Sequence, residues 1–178
     1  WLQVVSPVHV ATWGTYVTTP SVTSSAADVK IVTTVVNDSE KPQTVIVSQK
    51  ILDAGNNLVA ETSGKPVTVQ TNGKKDIEQD LQIGNPKLWT LEEPALYTMV
   101  TTIKTGNRIA DNYNTSFGVR TFRFDKDKGF SLNSKSIKLK GMCLHQDAGS
   151  LGTAVPDRSY ERRLEILKEY GCNAIRCS

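Results

Sequence analysis

Between about Tyr16 and Phe124 the chain is a succession of short segments in which apolar and polar side chains alternate. Alternate side chains of a strand point to opposite faces, so each segment predicts a strand with one buried face. One strand would bury the following side chains: Val29, Ile31, Thr33 and Val35. Short strands at this turn spacing, over roughly 100 residues, are typical of two antiparallel sheets packed face to face. The sequence therefore predicts a mainly β protein, an immunoglobulin-like β-sandwich.

Residues with turn chemistry separate the alternating segments. Further strands are predicted over Gln43 to Leu52, Leu58 to Glu61, Ile77 to Ile83, Tyr97 to Ile103 and Ile109 to Phe117. The turns are Asp53 to Asn57, Asn72-Gly73 and Thr105 to Asn107, in which Asn and Gly tolerate positive φ. We place the sandwich at residues 8–122. Residues 1–7 contain a strand-like stretch, Trp1 to Val5, and are expected to end a preceding domain or to form a linker, in a chain that begins in mid-protein.

The pattern changes after Asp125. A short strand, Phe130 to Leu132, lies between two turns, and a longer strand is predicted over Ile137 to His145. The second half of the longer strand is nearly all apolar, as in a strand that is buried on both faces. A loop rich in Gly, Ala and Ser follows, as far as Val155.

One helix is predicted after this loop. It would begin at Pro156 or Asp157, with Asp157 as the N-cap, and end before Gly171. Its apolar stripe is Tyr160, Leu164 and Leu167. A strand from Cys172 to Cys177 follows, and the order strand, loop, helix, strand predicts a parallel βαβ unit. We therefore interpret residues 123–178 as a truncated (β/α) barrel segment, in which chemistry belongs to the carboxyl ends of the strands.

Composition argues against several classes of function. The 21 basic and 18 acidic residues are scattered and nearly balanced, which is unlike a nucleic-acid-binding surface. No apolar run approaches the ~20 residues of a membrane span. The cysteines, Cys143, Cys172 and Cys177, have no partners at zinc-site spacing, and we expect buried free thiols. No metal and no cofactor is predicted, and the compartment, periplasm or cytoplasm, stays open.

Several stretches, in order, resemble glycoside hydrolase family 2, the family of β-galactosidases, β-glucuronidases and β-mannosidases. They are Pro86-x-Leu88-Trp89 with Pro94-x-Leu96-Tyr97, Phe117-Gly118-Val119-Arg120, Lys138 to His145, and Asn173 to Ser178. The chain is most similar to bacterial β-galactosidase-like members. The resemblance implies a retaining enzyme with a jelly-roll sugar-binding domain, a sandwich and a TIM barrel that carries two glutamates, an acid/base and a nucleophile. On this basis residues 1–7 would end the sugar-binding domain.

In the family both glutamates come from later barrel strands, so the resemblance places them beyond Ser178. No catalytic residue is therefore expected within these 178 residues, and the chain alone is expected to be inactive. The acids near its end do not alter this expectation, because Glu161, Glu165 and Glu169 belong to the predicted outer helix.

Two positions carry over from the family. His145 matches the histidine that ends the first barrel strand and binds substrate beside the scissile bond, where a neutral imidazole hydrogen-bonds a sugar hydroxyl. Arg176 matches the arginine of the second strand, which would orient the nucleophile and keep it ionised. From residue chemistry alone, a packed structural histidine and a salt-bridged arginine are the alternatives.

Other residues are assigned no role in chemistry. Trp13, Trp89 and Tyr97 can stack on sugars, but in a sandwich such residues are more often core or interface. His9 has no motif around it and is expected at a surface or between domains. Gln146 departs from the family pattern and is given no substrate role.

A non-catalytic carbohydrate-binding sandwich and a spacer module are the alternatives to a hydrolase. The predicted βαβ unit favours the hydrolase, because a free-standing sandwich has no use for it. The expected partner is the carbohydrate substrate of the full-length enzyme, rather than nucleic acid or a membrane. Because one βαβ unit cannot close a barrel, we expect residues 126–178 to pack on the sandwich, to self-associate with another copy through the exposed barrel segment, or to be poorly ordered.

Overall fold

The computed structural model describes residues 2–177, which form two compact units with a boundary between Thr121 and Phe122. The strands of the first unit are β1 (Val8–Val22), β2 (Ala26–Asn37), β3 (Gln43–Leu52), β4 (Leu58–Ser63), β5 (Val67–Val69), β6 (Gly73–Gly84), β7 (Tyr97–Thr105) and β8 (Arg108–Phe117). The second unit consists of β9 (Phe122–Asp125), β10 (Gly129–Leu132), β11 (Lys135–Ser136), β12 (Gly141–Leu144), a 3₁₀ turn (Gly149–Leu151), α1 (Asp157–Glu169) and β13 (Ala174–Cys177).

The strands of the first unit form two antiparallel sheets. One sheet has the order β1-β2-β6, and the other has the order β4-β3-β7-β8, with β5 paired to β3. The predicted turns take the expected conformation, with positive φ at Asn56, Asn72 and Gly106. The mainly β, immunoglobulin-like sandwich is thus confirmed.

Two hydrophobic clusters fill the space between the sheets. The first contains Ala27, Val29, Ile31, Ile51, Ile83, Tyr97, Met99 and Val119. The second contains Val8, Val10, Val35, Val45, Val47, Val69 and Ile103. Each cluster takes members from both sheets, so the inner faces pack against each other as in other sandwiches.

A polar belt separates the two clusters. On β2, β3, β6 and β7 the inward position between them is polar: Thr33, Gln49, Gln79 and Thr101. The Gln49 amide donates to Thr33 Oγ1 of the opposite sheet at 2.9 Å, and Thr101 Oγ1 donates to Gln49 Oε1 at 2.7 Å. Both ends of the Gln49 side chain are therefore satisfied, as a buried amide requires.

The N-terminal segment differs from its prediction. Residues 2–6 form no strand, and Trp1 lies outside the described residues, so the strand predicted over Trp1 to Val5 is not found. Regular pairing begins at Val8, immediately after Pro7, because proline has no backbone N–H for a ladder.

The two sandwich stretches of the family resemblance pack on one another. Trp89 N–H donates to Val119 O at 2.8 Å, and the Arg120 guanidinium lies 4.7 Å from the centre of the Trp89 ring. The Lys87 N–H donates to the hydroxyl of buried Tyr97 at 2.8 Å. Trp89 is half-buried, so the expected core or interface role is confirmed for Trp89 and Tyr97.

Trp13 was also expected in the core or at an interface, and the structure shows that it does not lie in the core. Its side chain is 84% exposed, and its backbone has φ +58°, in the left-handed region. The cause is a wide bulge in β1, which turns this residue out of the sandwich.

The second unit contains the predicted parallel βαβ unit. Strands β12 and β13 pair in parallel, and α1 lies between them in the chain. Strands β9, β10 and β11 form a separate antiparallel sheet. The strand predicted over Ile137 to His145 is shorter than expected, because regular pairing begins only at Gly141. Met142 is 53% exposed, so the expectation of burial on both faces is wrong for the described chain.

Two details of the helix and the cysteines also need correction. Pro156 rather than Asp157 occupies the N-cap position, since its ψ of 145° is extended while Asp157 is already helical. Gly171 ends the helix as predicted, with φ +82° and a hydrogen bond from its N–H to Lys168 O. The thiols are free, but Cys143 and Cys177 are exposed and Cys172 is half-buried, so the predicted burial is wrong.

Candidate functional site

The candidate site lies at the carboxyl end of β12 and β13. Cys143 pairs with Arg176 and Leu144 with Cys177, so both strands end at the same level. His145 directly follows the end of β12, and Arg176 lies in β13 opposite Cys143. The side chains of His145 and Arg176 are both exposed.

Asn173 aligns these two strands at their opposite end. Its Oδ1 accepts from Lys140 N–H at 2.8 Å, its Nδ2 donates to Lys138 O at 3.1 Å, and its own N–H donates to Lys140 O at 3.0 Å. These three bonds fix the register from which His145 and Arg176 project. Asn173 was predicted only as part of a family motif, and this positioning role was not predicted.

Side chains of α1 contact the loop that follows His145. Tyr160 Oη donates to Gln146 O and Arg163 Nη1 donates to Asp147 O, both at 3.4 Å. At this length the bonds are weak. Gln146 and Asp147 thus present their backbone carbonyls to the helix.

The acids of α1 are engaged in surface ion pairs. Arg158 donates to both carboxylate oxygens of Glu165, at 2.7 Å and 3.1 Å, and lies 3.3 Å from Glu161. The hydrogen bond from Arg158 holds the pKa of Glu165 below its usual 4.5. A general acid needs the opposite, a carboxyl that keeps its proton near neutral pH. Glu165 therefore fits the structural role that was predicted for it.

A concavity lies on the sandwich. It is an open groove of about 730 Å³ lined by residues of β1, β2, β4 and β6. Neither His145 nor Arg176 lines it.

Within residues 2–177 no group of three or more His, Cys, Asp or Glu side chains is arranged to hold a metal ion. The one helix of this region is too short and polar to cross a membrane.

The sequence profile described as Glycosyl hydrolases family 2 matches residues 8–120, which is most of the chain. The chain belongs to this family. It is 45% identical to Beta-galactosidase BoGH2A of Bacteroides ovatus, over 100% of this chain and 21% of that protein. It is 30% identical to a Beta-glucuronidase of Formosa agariphila, over 99% of this chain and 19% of that protein.

Solved structures of family 2 proteins have the same fold. A glycosyl hydrolase family 2 member from Bacteroides cellulosilyticus superposes with a TM-score of 0.88 at 38% identity, over 97% of this chain and 22% of that chain. A beta-glucuronidase of Bacteroides uniformis superposes with a TM-score of 0.86 at 31% identity, over 98% of this chain and 22% of that chain. The chain thus spans about a fifth of the length of its family 2 relatives.

Proposed function

We propose that these 178 residues belong to a retaining glycoside hydrolase that cleaves β-glycosidic bonds, with β-galactosides as its first substrate class. The observation that carries the proposal is the 45% identity to a protein named Beta-galactosidase along the whole chain. Residues 8–122 would act as a spacer that positions neighbouring domains, and residues 123–178 would begin a TIM barrel. The parallel β12-α1-β13 unit supports the second assignment.

In this proposal the acid/base and the nucleophile come from segments outside the 178 residues. The paired state of Glu161 and Glu165 supports this, because retaining hydrolysis needs two free carboxyls about 5–5.5 Å apart. His145 would hydrogen-bond a hydroxyl of the sugar at the scissile bond. Arg176 would bind the nucleophilic carboxylate through paired N–H groups and hold it ionised.

The direct test uses the complete polypeptide that contains these residues, with chromogenic β-galactoside and β-glucuronide as competing substrates. We expect the β-galactoside to be cleaved with the higher kcat/KM. His145→Ala should lower kcat/KM by about 10²-fold, as expected when a buried sugar hydroxyl loses its partner. Full activity of His145→Ala would contradict the proposed contact between His145 and the sugar. A higher kcat/KM for the β-glucuronide would show that β-glucuronides, rather than β-galactosides, are the first substrate class.

Arg176 has a test of its own in the same enzyme. Arg176→Ala should raise the pH at which the acidic limb of the kcat/KM profile falls, because a carboxylate without its cation takes up a proton more readily. A salt-bridged arginine with only a structural role would lower stability and leave that limb in place.

The second unit exposes apolar side chains that a partner surface would cover. Met142, Leu164 and Tyr170 are exposed on its strand and helix. Apolar surface of this kind is normally covered by protein. We propose that the rest of the barrel covers it in the complete enzyme, and that the isolated chain self-associates through it. Analytical ultracentrifugation of the isolated chain should show concentration-dependent oligomers, and a strictly monomeric chain would contradict this.

A further inference from the structure

The bulge in β1 presents a tryptophan to solvent. The five steps from Val10 to Thr15 face only two steps on β2, from Val35 to Thr33, so three extra residues are inserted into this edge strand. Trp13 stands at the outer point of the bulge, with its side chain 84% exposed. Bulges re-aim side chains and are often found beside functional sites.

The conformation of the bulge is held by specific contacts. A Cβ on Gly14 would lie 2.6 Å from Ala11 O, so the bulge closes tightly on a position that takes only glycine. The Trp13 N–H donates to Tyr113 Oη of β8 at 3.2 Å. Bulky residues are rare at positive φ, and such strain persists only where surrounding contacts impose it. A large apolar ring is thus held outward at a position where glycine would be less strained.

Hydrogen-bonding groups lie on the bulge and against its backbone. The Thr12 hydroxyl, one residue before Trp13, donates to Gln3 Oε1 at 3.2 Å. The Tyr113 hydroxyl accepts from the Trp13 backbone N–H and retains its own proton for donation. An exposed aromatic ring on a segment that also contains hydroxyl and amide groups suits a pyranose ring, which has an apolar C–H face and a rim of hydroxyls.

We propose that the Trp13 bulge is an accessory saccharide-binding platform, on which a β-linked galactopyranose stacks its C–H face. Membership of a glycoside hydrolase family places this surface in a protein that meets such chains. The choice of galactose rests on the substrate class proposed above, but the test measures binding on the sandwich, so its failure can be told apart from a failure of the catalytic proposal.

The test is a titration of the chain with β-1,4-linked galactotetraose, followed by isothermal calorimetry and by the intrinsic tryptophan fluorescence. Wild type should bind, and Trp13→Gly should bind about tenfold more weakly or not measurably, since one aromatic stacking contact is lost. Trp13→Gly should unfold at the same urea concentration or higher, because glycine relieves the positive φ. Loss of binding would then not result from loss of fold.

Phe122→Ala is the control, because Phe122 is an exposed aromatic side chain, at 63%, that lies in the other unit and outside the surface proposed for self-association. It should leave the affinity unchanged. Absence of wild-type binding, or equal binding by Trp13→Gly, would overturn the proposal. Leu2 and Val4 are also exposed on this segment, and a dimer that Trp13→Gly abolishes would assign the surface to a second copy instead of a saccharide.

Discussion

The sandwich and the C-terminal unit differ most in what they bury. The sandwich encloses two apolar clusters between its sheets. Among the described residues of the C-terminal unit, Leu132 is the one apolar side chain that is fully buried, and α1 contains none. Since burial of apolar surface is the main favourable term in folding, the sandwich contains the source of its own stability. The C-terminal unit has regular strands and a helix but buries little apolar surface among its described residues.

One substitution in each unit tests this difference and should produce the largest expected effect. Ile51→Ala in β3 empties part of a fully buried cluster and should lower the free energy of unfolding by about 3–4 kcal/mol. The control, Ile166→Ala in α1, removes a side chain that is 36% exposed and should cost less than about 1 kcal/mol. Urea unfolding followed by circular dichroism measures both. Similar costs would mean that the two units are equally packed.

The polar belt should produce the next largest effect. Gln49→Leu leaves the buried hydroxyls of Thr33 and Thr101 without their shared partner and should cost about 2 kcal/mol. Adding Thr33→Val and Thr101→Val removes the orphaned hydroxyls and should recover most of that loss. Thermal unfolding of the single and triple variants measures both changes in stability. If Gln49→Leu unfolds at the same temperature as wild type, the belt contributes nothing to stability.

A smaller effect is expected where the two motif stretches of the sandwich meet. A Cβ on Gly118 would lie 2.9 Å from the Trp89 side chain, so Gly118→Ala should cost about 1–2 kcal/mol through overpacking. Gly84→Ala is the control, because no atom lies within 4 Å of a Cβ at that position. It should change stability by less than about 0.5 kcal/mol. If both variants unfold at the same urea concentration, the close approach to Trp89 has no energetic consequence.

The smallest effect concerns the surface ion pair of α1. The pKa of Glu165 is lowered in the folded chain, so its charged form favours the helix. The contribution is present above the usual value of 4.5 and is lost as the pH falls through the lower folded-state value. The protection factors of the α1 amides, which correct for the intrinsic pH dependence of hydrogen exchange, should therefore fall at acidic pH.

Glu165→Gln is the control for this pH dependence. The protection factors of its helix should depend less on acidification, because no carboxylate remains at position 165 to be neutralised. An unchanged pH dependence would assign the effect to other carboxyls.

The sandwich was predictable because its signal is local. Strand β2 alternates as read from the sequence, and its inward residues are buried, including polar Thr33. The two-residue turn at Gly106 and Asn107 was found from its chemistry alone. A period of two and a turn residue need no knowledge of distant contacts.

The features that were missed depend on contacts distant in sequence. The bulge around Trp13 is held by Tyr113 of β8, and the local sequence around Trp13 does not predict that partner. Met142 in β12 is exposed although the strand has the apolar sequence of a buried one, because the local sequence does not determine which elements pack on a strand.

The candidate site was predictable in its position. The βαβ rule places His145 and Arg176 at the carboxyl ends of adjacent parallel strands, and the register agrees with that placement. Their roles toward a sugar and a nucleophile stay predictions. The three bonds of Asn173 were not predictable, because an asparagine after a helix is also a common turn residue.

The belt of Thr33, Gln49 and Thr101 has a consequence for how the sandwich opens. Fraying that starts at one end of the sheets meets a pair of hydrogen bonds across the middle before it reaches the far cluster. The bonded amide of Gln49 resists such opening, because the groups freed from it would lack partners in a medium of low polarity. The belt should therefore confine local opening to one half of the sandwich at a time. Substitutions that loosen the half around Val45 should leave the half around Met99 closed.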